Sequence, residues 1–277
     1  MTRDLYRRAF AELLGTGLLV TVVVGSGIMA ERLSPGNVGL ELLENSTATT
    51  LGLAVLILAL APVSGAHFNP VVTLVDHLFA RRARTGADNG AGSGAGTAGT
   101  TGRDVLVYIP AQIAGGIGGV VLANLMFALP AATASTHVRA SGHLWLGEAV
   151  ATAGLILLIF ALTRTGRGAY APAAVGAYIG AAYWFTSSTS FANPAVTIAR
   201  AFTDTFAGIK PSSVPGFVLA QLVGAGIGAL IVAALFPRST TSNPTGSTTG
   251  STTASTSAEV AHDHRSPATA VAARSAS

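Results

Sequence analysis

The 277-residue chain has no cysteine, little charge and few aromatic rings, and each shortage removes a class of protein. Without cysteine there are no disulfides and no thiolate metal sites. Only 10% of the residues are charged, 50% are hydrophobic and the mean hydropathy is +0.56, a balance that a soluble domain of this length does not sustain. The composition is that of a polytopic membrane protein. The formal net charge is +4, but the basic residues are scattered between apolar runs without a dense stripe or an aromatic platform, which argues against a nucleic-acid partner. No nucleophile with its base and no cluster of metal ligands stands out, so neither an enzyme nor a cofactor or metal site is expected. The first apolar run is long, carries Glu12 and lacks a small-residue cleavage site, and so reads as a retained helix and not as a signal peptide.

What is present is one short phrase written twice. SGAHFNPVVTL holds Asn69, Pro70 and Val71, and SFANPAVTIAR holds Asn193, Pro194 and Ala195. In each copy Asn falls at a helix N-cap and Pro at the first helical position. The runs that follow, 69–79 and 193–202, are shorter than the ~20 residues a spanning helix needs, so each reads as a re-entrant half helix. Six longer runs read as spans: the basic lead-in to about Met29, then 48–63, 105–129, 144–163, 170–185 and 217–236. A polar loop holding Glu31, Arg32, Glu41 and Glu44 is predicted between the first two, and the Asn45-Ser46-Thr47 sequon in it is taken as a chance match. Residues 85–102 read as a flexible Gly/Ala/Thr/Ser linker and 237–277 as a disordered cytoplasmic tail in which His262, Asp263 and His264 are solvated.

The spans repeat as well. Span one carries Ala11-Glu12 and Gly15-Thr16, and span four carries Gly147-Glu148 and Ala151-Thr152; spans three and six carry Ala111-Gln112 and Ala220-Gln221. An odd number of spans separates the copies, so the second half is inverted in the membrane and the half-helix N-termini meet near the midplane. The predicted organisation is a first repeat over 1–130 and a second over 131–236. A carboxylate inside a span is a functional-site candidate by default. For Glu12 and Glu148 a structural role is expected, accepting backbone N–H groups from the non-helical loop before each half helix. With the amino terminus in the cytoplasm, 12 of the 16 Arg and Lys residues lie inside, which predicts that both termini are cytoplasmic.

On the paired NP motifs, the glutamates and the Ala-Gln pairs, residues 5–236 resemble the major intrinsic protein family of aquaporins and glycerol facilitators. The resemblance implies an all-α aquaporin-like fold, with six transmembrane helices and two re-entrant half helices in an inverted repeat. It further implies a homotetramer in the cell membrane, surrounded by lipid, with one pore per subunit, no cofactor, and asparagines that donate to a passing oxygen of a small neutral solute. Aquaporins are a known example of cation exclusion by half-helix dipoles, and the resemblance implies the same here.

The departures from the family pattern carry the specificity argument. The second motif usually continues with an Arg that forms the outer selectivity filter, and here Val196 stands in its place. Carried over without gaps, the other filter positions fall at Thr49, Ala181 and Ser190. The filter is therefore predicted to lack both its cation and an aromatic ring, and to admit solutes larger than water. Arg200, one turn past Val196, reads as a surface residue, with partial replacement of the lost charge as the alternative. Val71 in place of the usual Ala predicts a slight narrowing at the midplane. The stretch YWFTSSTSFANPAVTIARAFTDTFAGI resembles a bacterial branch associated with arsenic resistance, so neutral arsenous acid joins glycerol and water among the expected solutes. His67 reads as a loop-packing residue and not as an arsenic ligand. A water-selective aquaporin and a coupled secondary transporter are the alternatives; the lack of ionisable pairs along the spans speaks against the second.

Overall fold

A computed structural model describes residues 3–85 and 99–237. Apart from their ends, the predicted linker and tail lie outside these residues. Eight α-helices are found among the described residues: α1 (Arg3–Leu33), α2 (Val38–Ser64), α3 (Pro70–Arg84), α4 (Gly102–Met126), α5 (Gly142–Arg164), α6 (Ala171–Phe185), α7 (Pro194–Ala199) and α8 (Val214–Leu235). Five of them, α1, α2, α4, α5 and α8 with the turn before it, are long and apolar enough to cross a bilayer. Helix α6 has 15 residues, and with the 3-residue 3₁₀ turn Gly168–Tyr170 ahead of it reaches ~28 Å, close to the ~30 Å of a hydrocarbon core. It is the sixth span. The short helices α3 and α7 follow α2 and α6 and complete the aquaporin-like arrangement.

The polar loop expected between the first two spans is mostly helix. Helix α1 runs on to Leu33 and α2 begins at Val38, where Asn37 caps it by accepting from the Leu40 N–H at 3.1 Å. Glu41 and Asn45 are buried in α2, and Asn45 Nδ2 donates to the Val23 carbonyl at 2.8 Å and to Ser26 Oγ at 2.9 Å. The sequon is thus part of a packed helix. With 27 residues α2 is ~40 Å long, so its polar first turns project past the hydrocarbon core and find partners on α1.

Close helix contacts in both halves depend on glycine. A Cβ on Gly115 or Gly119 of α4 would meet the backbone carbonyls of Leu13 and Gly17 on α1, and a Cβ on Gly224 or Gly228 of α8 would meet those of Ala149 and Ala153 on α5. Lipid supplies no hydrophobic drive for helix association, so this backbone-to-backbone approach is what membrane helices use instead. The glycines lie three and seven residues after Gln112 and Gln221, so both interfaces are set by the same register. On one face of the molecule the segment between α4 and α5 pairs with the segment after α7: the N–H groups of Thr133 and Ser135 donate to the carbonyls of Phe202 and Ala201 at 3.0 and 3.1 Å.

Candidate functional site

Each half helix starts because its Asn caps the free backbone donors and Pro favours the first helical turn. Asn69 is extended (φ −153°), its Oδ1 accepts from the Val71 N–H at 3.1 Å, and Pro70 takes the first helical position. Asn193 repeats this with φ −157° and Oδ1 accepting from Ala195 and Val196 at 3.0 and 3.3 Å. The amide nitrogens cross between the two copies. Asn69 Nδ2 donates to the Ala192 carbonyl at 2.8 Å, and Asn193 Nδ2 donates to the Phe68 carbonyl at 2.7 Å. Since Ala192 and Phe68 immediately precede the opposite asparagines, the two NP motifs meet. One N–H of each amide is used in this crossing and one remains.

The loops before the asparagines are held in a backbone shape that side chains normally avoid. Ala66 and Phe68 have φ of +49°, and in the second copy Ser190 and Ala192 have φ of +49° and +48°. Such positions persist only where surrounding bonds over-determine them. Glu12 supplies those bonds in the first copy: it accepts from the N–H groups of His67 at 3.0 Å and Phe68 at 2.7 Å, from Ser64 Oγ at 2.6 Å and from Gln112 Nε2 at 2.8 Å. Glu148 accepts from the N–H groups of Phe191 and Ala192, both at 2.8 Å, and from Gln221 Nε2 at 2.6 Å. Two threonines not singled out from the sequence close the networks. Thr73 and Thr197 accept from the same glutamines at 3.0 and 2.8 Å and donate to the carbonyls of Asn69 and Asn193. Their signal was present, a Thr four residues after Asn in both motifs. His67 Nδ1 is also bonded to Thr73 Oγ1, at 3.1 Å.

The outer filter positions come out differently from the gap-free carry-over. Thr49 is buried on α2, and its Oγ1 is 3.3 Å from the hydroxyl of Tyr183 on α6. Ala181 is exposed. Residues 181 and 183 are two apart and hence ~200° apart around the helix, so they cannot face the same point. Tyr183, not Ala181, stands opposite Thr49, and an aromatic ring is present where none was expected. Ser190 is buried with its Oγ unpartnered among the described residues, and Val196 is buried in the same apolar cluster as Tyr183. Below this level, Leu53 and Ile57 continue the stripe of Thr49 on α2, while Ile179 and Val175 continue that of Tyr183 on α6. Val71 is fully buried against α3, α5 and α8 residues such as Val75, Ile156 and Ala225, so it narrows nothing at the midplane.

The amino-terminal stretch 1–85 matches the family model described as "Major intrinsic protein". The aquaglyceroporin AqpS of Rhizobium meliloti is 51% identical over 222 residues, a match that covers 80% of this chain and 87% of that protein. The chain belongs to the major intrinsic protein family. It is accordingly a multi-pass membrane channel and not an enzyme. The glycerol uptake facilitator protein of Pseudomonas aeruginosa is 30% identical over 268 residues, covering 82% of this chain and 88% of the facilitator. The fold is similar to the X-ray structure of the aquaglyceroporin from Plasmodium falciparum, with a TM-score of 0.59 at 19% identity over 83% of this chain and 96% of that one.

One further residue of this family member departs from its expected place. Arg200, expected from the sequence at the surface, is only 3% exposed. Its Nε donates to the Ala207 carbonyl, and its guanidinium carbon lies 3.4 Å from the centroid of the Phe191 ring. It sits in the 3₁₀ turn that ends the short helix, where the chain folds back on itself and buries the side chain.

Proposed function

We propose that the chain is a passive channel for small uncharged hydroxylated solutes, with glycerol and arsenous acid as the sharpest candidates. The crossed asparagine pair carries this reading: two amide donors from opposite halves converge at one point, each with an N–H left for a passing oxygen. The stripes Thr49–Leu53–Ile57 and Tyr183–Ile179–Val175 offer apolar walls that suit the carbon side of a polyol. Arsenous acid, neutral at pH 7, presents comparable hydroxyls, and the names of the similar aquaglyceroporin and glycerol facilitator agree with a solute of this kind. On the positive-charge asymmetry both termini are cytoplasmic, and on the family resemblance the channel is a homotetramer in the cell membrane. The outer constriction of this reading is formed by Thr49, Tyr183, Ser190 and Val196.

Tyr183 favours one second reading, a constriction narrow enough to prefer water, because its hydroxyl already bridges to Thr49. Stopped-flow light scattering on proteoliposomes separates the two. Glycerol and arsenous acid flux well above that of protein-free liposomes is expected. Water flux alone would establish the second reading, and no flux of any kind would end both.

A further inference from the structure

Val196 leaves the outer constriction without an adjoining cation, yet two guanidiniums are held behind it. Arg200, buried, stacks on Phe191 and is fixed by the Ala207 carbonyl. Arg139 comes from a different element, the segment between α4 and α5. Its Nε donates to the Gly208 carbonyl at 3.0 Å, and its guanidinium carbon is 5.2 Å from the centroid of the same Phe191 ring. That ring is itself immobilised: the Phe191 N–H is bonded to Glu148, and the ring packs edge-on against Phe217 at 5.2 Å. The next residue toward the constriction is Ser190.

Among the described residues, no carboxylate lies within the 4.0 Å of an ion pair from either guanidinium. Buried charges are normally matched by an opposite charge. Here the groups in contact are carbonyl dipoles and a ring face, while the charge of Glu148 reaches both guanidiniums from beyond ion-pair distance, one carboxylate against two cations. The net positive charge that remains acts across several ångströms with little screening in low-dielectric surroundings.

Resting on the channel reading above, we propose that Arg200 and Arg139 determine the charge selectivity of this channel, excluding cations by their field from behind the constriction. Size and charge selection are thereby separated: Thr49, Tyr183, Ser190 and Val196 set the width, and the two arginines set the sign. The test uses the full chain in proteoliposomes, with glycerol flux followed by light scattering and potassium and proton leak by potential- and pH-sensitive dyes. In the double variant Arg139→Gln with Arg200→Met, glycerol flux stays above the protein-free level while cation leak rises about tenfold or more over the parent. Each single variant falls between, and Arg200→Lys stays near the parent.

A double variant that conducts glycerol with leak at the parent level overturns the inference. Loss of glycerol flux without added leak does the same, since it assigns the arginines a purely structural clamp. Should substitution at Arg200 prevent folding, Arg139→Gln changes only a half-buried side chain outside α7, and its leak decides alone: a rise supports the inference and parent-level leak refutes it. A parent that carries neither glycerol nor water removes the channel reading and this inference with it, whereas the other failures leave the channel reading intact; in a parent that carries water alone, water flux takes the place of glycerol flux in the same comparison.

Discussion

Val196 and Tyr183 face each other across the question of what this channel lets through. Introducing a guanidinium by Val196→Arg narrows the constriction, so glycerol flux is expected to fall about tenfold while water flux persists. Unchanged solute selectivity would remove Val196 from the filter. Tyr183→Ala takes away the ring and the hydroxyl that reaches Thr49, and the flux of a four-carbon polyol relative to glycerol should rise; a constant ratio would show that Tyr183 does not limit width. Glu12→Ala strips the acceptor from three donors of its loop and from Gln112. Each buried donor left without a partner costs about 1–3 kcal/mol, so a clear drop in thermal stability in detergent is expected. At this scale the sequence was readable where chemistry was unusual. A carboxylate or an Asn-Pro pair in an apolar run has few explanations, and Glu12, Glu148, Asn69 and Asn193 could be found. Ala181 was misplaced because a count along the chain cannot see how the segment between α6 and α7 is folded, and a shift of two residues turns a helix to another face.

Among the elements, helix existence followed from hydropathy and helix ends did not. Glu41, Glu44 and Asn45 read as loop because nothing in the sequence shows that Asn45 finds partners on α1. The glycine-mediated contacts give a direct check at this scale. Gly119→Ala places a methyl against the Gly17 carbonyl and is expected to destabilise by about 1–3 kcal/mol, as overpacking does. Gly118→Ala meets nothing within 4 Å and should be neutral or slightly stabilising, and thermal unfolding of the pair in parallel separates packing from helix propensity. The segment that bridges the two halves carries a pH dependence. Asp204 accepts from the Thr136 N–H at 2.8 Å and from Thr136 Oγ1 at 3.0 Å, and these bonds hold its carboxyl below the usual carboxylate range. A lowered folded-state pKa means that the contact contributes at neutral pH and is lost as pH falls through that value. Protection of the Thr136 amide, its exchange measured against the unstructured rate at the same pH, should fall in acid, and Asp204→Asn should remove the effect.

Over the whole molecule, the same construction is used twice with opposite orientation. Glutamate, glutamine, threonine and asparagine form one network behind each half helix, and the glycines beside each network hold the spanning helices at backbone contact. The inversion was legible because it rests on the parity of a span count. The two cations behind Phe191 were not, because the burial of Arg200 and the half-burial of Arg139 depend on how two distant segments dock. The central claim is that the crossed asparagines share one path and present a donor each to the solute within it. A crystal structure of the full chain determined with glycerol tests this most directly. A glycerol hydroxyl oxygen is expected about 3 Å from the Nδ2 atoms of both Asn69 and Asn193, in a path open to both sides. Glycerol absent from that point, with the two amides turned into closed protein, would contradict it.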